Sequence, residues 1–151
     1  DVLEHILEDE AVLSSLHRLL SAQGFLLLTV PAFPELWSYF DEASHHARRY
    51  RLPELRDKLL RAGFEIHLIS YYMTSTFPLV WLNRKTAGRA QPAQAMDKQR
   101  ENELALEELR IVPVVNGILT WILSQEARLV ARRVRLPFGT SIVALAQRRD
   151  E

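Results

Sequence analysis

The sequence predicts an α/β fold built on an open sheet. A short apolar run over residues 25–30, bounded by Gly24 and Pro31, is too short for a helix and lacks the alternation of a strand with one wet face. Such a run is typical of a strand buried on both faces, as in a parallel sheet. Helical patterns precede the run and return after a loop, as covering both faces requires. Open α/β folds bind ligands beyond the carboxyl ends of their strands, so we expect the site to follow Val30.

Composition narrows the class of protein. The 151 residues are 48% hydrophobic and 25% charged, as in one soluble domain, and the formal net charge is zero. Neutral charge, with aromatic and basic residues that are not interleaved, argues against nucleic acid as a partner. The absence of cysteine excludes disulfides and thiolate chemistry. Without a leader pattern or an apolar run of about twenty residues, the expected location is the cytoplasm.

Charge is distributed unevenly along the chain. Acidic residues dominate positions 1–42, and basic residues dominate positions 43–100. Either the two segments form ion pairs with each other, or the basic residues make an electropositive rim around the loops. We favour ion pairing.

The first predicted elements are a helix and the buried strand. Acidic residues 8–10 suit a helix N-terminus, leucines recur at helical spacing as far as Leu20, and Gly24 is predicted to end the helix. Residues 31–50 then form a long aromatic loop. Its aromatic side chains either form a lid over an apolar acceptor or pack the loop onto the sheet. They are Phe33, Trp37, Tyr39 and Phe40.

Two more strands and further helices follow. Pro53 suits the first turn of a second helix, which Gly63 ends. The pattern of residues 64–73, which alternates at first and is then aromatic, predicts a second strand. An amphipathic segment covers residues 77–84. Residues 140–147 predict a last strand, either at an edge of the sheet or antiparallel to its neighbour.

The pattern divides the chain into three parts. Residues 1–85 contain the first two strands, and residues 86–100 are a linker rich in alanine and glutamine. Residues 101–151 complete the same domain with helices and the last strand. Pro113 and Gly117 are predicted to end or bend helices in this part.

Five motifs, in this order and spacing, resemble one family. They are DVLEH at residues 1–5, LLLTVPA at 26–32, HARRY at 46–50, Leu55, and AGFE at 62–65. Together they resemble the C-terminal half of a class I S-adenosylmethionine-dependent methyltransferase. The resemblance implies a partial Rossmann-like sheet containing the fourth to seventh strands, in which the closing strand is the seventh and lies antiparallel next to the sixth.

The resemblance also implies an incomplete site. The family's glycine-rich loop and the acid after its second strand, which hold the methionine part and the ribose of the donor, have no counterpart among these residues. We therefore expect a methyltransferase fragment that is inactive alone. The alternative is a non-catalytic interaction module, or a domain-swapped homodimer assembled through apolar C-terminal helices.

The resemblance places the cofactor contacts in the opening motif. The expected contacts of S-adenosylmethionine are Asp1, Val2, Leu3 and His5. The alternative from the residues alone is a helix start with acids at its positive end. A divalent metal at Asp1, Glu4 and His5 is a further alternative. This spacing resembles the acid-x-x-Glu-His arrangement of ubiquinone-pathway O-methyltransferases, with Asp1 in place of a longer glutamate, and we assign no metal.

The expected catalytic residues lie in the loop after the first strand, where a small-molecule acceptor would sit. They are His46, Arg49 and Tyr50, with His45 a weaker candidate. A histidine can take the proton from an acceptor hydroxyl, and an arginine can hold a carboxylate or phosphate. The alternative is a solvated loop whose arginines pair with nearby acids.

Residues 111–123 would form a helix whose surface is apolar on nearly every side. We favour burial in the core or in a dimer. The alternative is attachment to a membrane surface or binding of a lipid-like acceptor, because several arginines follow directly and suit anionic headgroups. They are Arg128, Arg132, Arg133 and Arg135.

Overall fold

A computed structural model describes residues 2–86 and 113–149 of the chain. The helices are α1 (Asp9–Leu19), α2 (Tyr39–Ala43), α3 (Leu52–Arg61), α4 (Phe77–Thr86) and α5 (Pro113–Ala131), and the strands are β1 (Phe25–Pro31), β2 (Phe64–Tyr72) and β3 (Ser141–Arg148). Single 3-10 turns cover Leu3–His5 and Pro34–Leu36. In these two ranges, no helix combines the length and the apolarity that crossing a bilayer requires.

The strands form one sheet in the order β1-β3-β2. The last strand in sequence is central and runs antiparallel to both neighbours, so β1 and β2 run in the same direction. Phe25 pairs with Gln147 at one end of β1, and Pro31 pairs with Ser141 at the other. The predicted antiparallel orientation of the last strand is confirmed, whereas the alternative that this strand lies at an edge is wrong.

The prediction that β1 is buried on both faces is wrong. Leu27 is 69% exposed, and Phe25 is exposed as well, whereas Val30 is fully buried. Successive side chains of a strand point to opposite faces, and only one face of β1 meets α1 and α3. The other face opens toward α5 and is only partly covered. Because β1 has apolar side chains on both faces, its sequence does not show that buried and exposed positions alternate along it.

The core lies between α1, α3 and the covered face of the sheet. Its buried apolar side chains come from both helices, from alternate positions of β1 and β3, and from the loop before α3. They include Leu13, Leu55, Leu59, Val30, Ile142, Ala144 and Tyr50. Burying such side chains is the main favourable term in the stability of the fold.

Ion pairs join the acidic N-terminal segment to the basic segment after it. Asp9 pairs with Arg48 at 3.1 Å and with Lys58, and Glu10 pairs with Arg61 at 2.9 Å. The predicted pairing between the two segments is confirmed.

Some predicted boundaries shift. The first helix ends at Leu19, before Gly24, while α3 ends at Arg61, close to the predicted Gly63, which adopts a φ of 90° that favours glycine. The last helix continues through Gly117, so the prediction that a helix ends there is wrong, and the alternative of a bend stays a prediction. Thr86 ends α4, and the rest of the predicted linker lies outside the described residues.

We expect Gly139→Ala to lower the free energy of unfolding by about 1–3 kcal/mol. A Cβ atom at this position would overlap the backbone of Tyr72, lying 2.7 Å from its carbonyl carbon and 2.9 Å from its nitrogen. A backbone neighbour cannot rotate away, so the chain must shift. Urea unfolding of both proteins would measure the difference.

Gly117→Ala is the matched control for that prediction. Apart from the adjacent residues and the nearby backbone of the same helix, no described atom lies within 4 Å of a Cβ atom built at position 117. Alanine in a helix interior is more favourable than glycine by about 0.5–1 kcal/mol, so this variant should be at least as stable as the wild type. Equal destabilisation by the two substitutions would contradict the role assigned to Gly139.

Candidate functional site

A pocket of about 580 Å³ lies at the carboxyl end of β1. Its walls come from the opening 3-10 turn, the loop after β1, α4 and the start of β3. The lining residues are Glu4, His5, Pro31, Phe40, Ser44, His46, Arg49, Val80, Thr140 and Ser141. This is the sheet edge at which the sequence analysis places a ligand site.

Backbone hydrogen bonds bring two distant segments together at this pocket. The carbonyl oxygen of Glu4 accepts from the amides of Ala47 at 2.6 Å and Arg48 at 3.3 Å. The amide of Tyr50 donates to the carbonyl of Pro31 at 2.9 Å. The loop containing His46 is therefore fixed between the opening turn and the end of β1.

A buried carboxylate, that of Asp41, organises the loop. Its oxygens accept hydrogen bonds from the Ser38 amide at 2.9 Å, from Nδ1 of His46 at 2.9 Å and from Nε of Arg49 at 2.7 Å. Burial alone would raise the pKa of Asp41, but the hydrogen bonds from Arg49 and His46 and the charge of Arg49 outweigh it and hold the pKa below its usual value. The carboxylate is thus ionised at neutral pH.

The sequence analysis missed Asp41 as a site residue. Ser38 and Asp41 form a capping box at the start of α2, in which the Ser38 amide donates to the Asp41 side chain. The Ser-x-x-acid pattern before this short helix was visible in the sequence and could have indicated the structure. Its contacts with His46 and Arg49 were not visible there, because they depend on how the loop folds back.

The two pocket histidines lie edge to face, with ring centroids 4.8 Å apart. Nδ1 of His46 is held by Asp41, and Nδ1 of His5 lies 3.3 Å from the carbonyl oxygen of His45. These contacts fix the orientation of each ring and leave Nε2 as the nitrogen for a ligand.

The side chain of Glu4 is the least satisfied polar group of the pocket. It is 1% exposed, and neither carboxylate oxygen has a hydrogen-bond partner among the described residues. The nearest charged or ionisable contact is Nε2 of His5, 3.8 Å from Oε1. Leaving a buried carboxylate without a partner is costly. This pocket therefore favours a positively charged ligand.

The structure brings three of the predicted site residues into the pocket. His5, His46 and Arg49 line it, and Arg49 also donates to the carbonyl of Ala32 at 3.1 Å. The catalytic and cofactor roles of these residues stay predictions.

Tyr50 does not line the pocket. It is fully buried, and its hydroxyl donates to Oδ2 of Asp9 at 2.8 Å. Burial and the neighbouring Asp9 raise the pKa of this hydroxyl above its usual value, so Tyr50 stays protonated. The backbone of Tyr50 instead fixes the loop beside β1, as its hydrogen bond to Pro31 shows.

The other predicted cofactor contacts are spread over different environments. Val2 is exposed, whereas Leu3 belongs to the core. Asp1 lies outside the described residues, so the predicted metal alternative that includes it has two described members, Glu4 and His5.

The predicted packing of the aromatic loop onto the sheet is confirmed for Phe33, whereas a lid over an apolar acceptor stays a prediction. Phe33 stacks on Tyr71 of β2 with centroids 4.9 Å apart and lies 5.5 Å from Phe77, so it packs the loop onto the sheet. Phe40 lines the pocket.

A second, apolar groove of about 600 Å³ separates the open face of the sheet from α5. Leu27 and Leu145 line its sheet side, and Leu123 and Val130 line its helix side. On α5, Trp121 is 66% exposed. Within the described ranges the helix is therefore only partly covered by the rest of the chain, and its burial in a dimer stays a prediction.

Comparisons with known proteins give a limited result. No protein-family model matches the chain, and no curated protein matches it. A solved structure that matches is the selenomethionine form of phosphoethanolamine N-methyltransferase 2 from Haemonchus contortus in complex with S-adenosyl-L-methionine, at 17% sequence identity and a TM-score of 0.47. The match covers 99% of this chain and 32% of that chain, so this chain spans about a third of that enzyme's length.

Proposed function

We propose that the chain forms the acceptor side of an S-adenosylmethionine-dependent methyltransferase that acts on a small molecule. The main support is that His5 of the opening motif lines the same pocket as His46 and Arg49 of the HARRY motif, at the carboxyl end of β1. Open α/β folds bind ligands at this edge. The position of β3, antiparallel between two strands of like direction, also agrees with the strand arrangement that the resemblance implies.

The described residues fit part of a donor site. His5 lines the pocket, so its side chain can contact S-adenosylmethionine. Val2, at the start of the same motif, is exposed, whereas Leu3 is buried and can contact the donor only through its backbone. The bound donor supplies a methyl group on a positively charged sulfur. We therefore propose that residues 2–5 form one wall of the donor site.

In this proposal, His46 takes the proton from an acceptor hydroxyl through Nε2. Asp41 holds the opposite nitrogen at 2.9 Å and would stabilise the imidazolium that forms. Arg49 is held by the same carboxylate and places a guanidinium on the pocket wall, where an anionic group of the acceptor can approach. For an acceptor that is already nucleophilic, alignment alone would suffice.

A second candidate is an interaction module that forms a homodimer. The observation in its favour is the exposed apolar surface on the open face of the sheet and on α5, including Leu27, Ile118 and Trp121. Among the described residues, no strand pairs with the outer edge of β1. The same apolar surface would suit a lipid-like acceptor. The proposed location remains the cytoplasm.

The test is a calorimetric titration of the folded chain with S-adenosylhomocysteine, the reaction product that occupies the donor pocket. The buffer contains a chelator, so that metal binding cannot contribute, and adenosine is the control ligand. We expect saturable heat with S-adenosylhomocysteine and at least tenfold weaker binding of adenosine. A folded chain that gives no heat with the product would contradict a donor site on residues 2–5.

A further inference from the structure

We infer that Glu4, His5 and His46 bind a transition-metal dication of the zinc or ferrous-iron class. Each residue offers one ligand atom, and these atoms lie within 4.8 Å of one another. Two imidazoles and one carboxylate are a recurring ligand set for such ions. The inference concerns the described pocket itself and does not depend on methyl transfer. A metal on Nε2 of His46 takes the lone pair with which this nitrogen would accept a proton, so the inference is an alternative to the base role of His46 in the proposed function.

The surroundings of the two histidines suit metal ligands. A metal-binding histidine usually donates its other ring N–H to a carboxylate or a backbone carbonyl, which fixes the tautomer and makes the ligating nitrogen more basic. His46 has Asp41 in this role at 2.9 Å, and His5 has the carbonyl oxygen of His45 at 3.3 Å. Both rings are therefore held with Nε2 available to a metal.

The carboxylate of Glu4 supplies an independent reason for a cation. It is buried with no hydrogen-bond partner among the described residues, although it lines the pocket. A buried charge needs a partner, and the two imidazoles beside Glu4 indicate which kind of cation that partner is. An organic cation gains little from two imidazole nitrogens, whereas a metal ion takes a lone pair from each.

Ligand chemistry also selects among metals. Imidazole nitrogen suits zinc and iron, whereas magnesium and calcium prefer sites made wholly of oxygen. Ligand atoms around tetrahedral zinc lie about 3.4 Å apart, so side-chain rotations that close the present spacing would complete the site. Three protein ligands leave a coordination position open toward the pocket, where water or an acceptor oxygen can bind.

The test is a calorimetric titration of the tag-free, folded chain with Zn²⁺, without any adenosyl ligand. We expect one site, and we expect His46→Ala and Glu4→Gln each to weaken Zn²⁺ binding by about 100-fold or more. The matched control is His67→Ala, which removes a histidine that bonds Gln147 at 2.8 Å and lies outside the cluster. This variant should bind Zn²⁺ as the wild type does.

Thermal unfolding with and without Zn²⁺ provides a second measurement. Without metal, Glu4→Gln should unfold at the same temperature as the wild type or higher, because the substitution removes an unpaired buried charge. Only the wild type and the His67→Ala control should be stabilised markedly by Zn²⁺. Absence of binding, or equal binding by the wild type, Glu4→Gln and His46→Ala, would overturn the inference. A metal site without product binding would refute only the proposed donor site.

Discussion

Replacing Asp41 by alanine is expected to lower the free energy of unfolding by about 3–5 kcal/mol. The carboxylate is 0% exposed and accepts hydrogen bonds from Ser38, His46 and Arg49. Its removal leaves the guanidinium of Arg49, itself mostly buried, without its ion-pair partner. Such an unpaired charge accounts for most of the expected loss. Chemical unfolding monitored by tryptophan fluorescence and by circular dichroism would measure it.

Glu42→Ala is the control for Asp41→Ala. This neighbour lies on the same short helix, but its side chain is exposed and makes only a long contact of 3.4 Å with the indole of Trp37. We expect it to change the free energy of unfolding by less than about 1 kcal/mol. If the two variants were equally stable, the network around Asp41 would not be what holds the loop in place.

The elements of the fold were largely predictable because their sequence patterns are local. Apolar spacing and the prolines and glycines at the ends of elements place α1, α3 and β2 within a few residues of their observed positions. The exposure of one face of β1 was not predictable, because apolar residues occupy both faces of that strand. Which face is covered depends on helices that lie elsewhere in the chain.

The members of the candidate site could be named from the sequence, but their contacts could not. His5 and His46 come together because the carbonyl of Glu4 accepts hydrogen bonds from the amides of Ala47 and Arg48. Backbone hydrogen bonds of this kind do not depend on the side chains, so the sequence does not predict them. For the same reason the buried position of the Tyr50 hydroxyl, which donates to Asp9, was not predictable.

Asp9→Asn is expected to lower the free energy of unfolding at pH 7 by about 3 kcal/mol. Asp9 is buried, pairs with Lys58 and Arg48, and accepts a hydrogen bond from Tyr50. An asparagine keeps the shape of the side chain but removes its charge. Among the described residues, the buried ammonium of Lys58 then keeps one anionic partner, the partly exposed carboxylate of Glu54 at 3.4 Å.

The loss of stability caused by Asp9→Asn should become smaller as the pH falls, because the ion pairs of Asp9 require an ionised carboxylate. Burial alone would raise the pKa of Asp9, but the hydrogen bonds from Lys58 and Tyr50, together with the charges of Lys58 and Arg48, outweigh it and lower the pKa from 3.8. The stabilisation is therefore complete above the pKa of the unfolded chain and disappears as the pH falls through the lower pKa of the folded protein. The difference between wild type and Asp9→Asn should shrink in that range, while Glu54→Gln should cost less than about 1 kcal/mol throughout. A difference that stays constant from pH 7 to pH 2 would mean that Asp9 stabilises the fold through its shape and not through its charge.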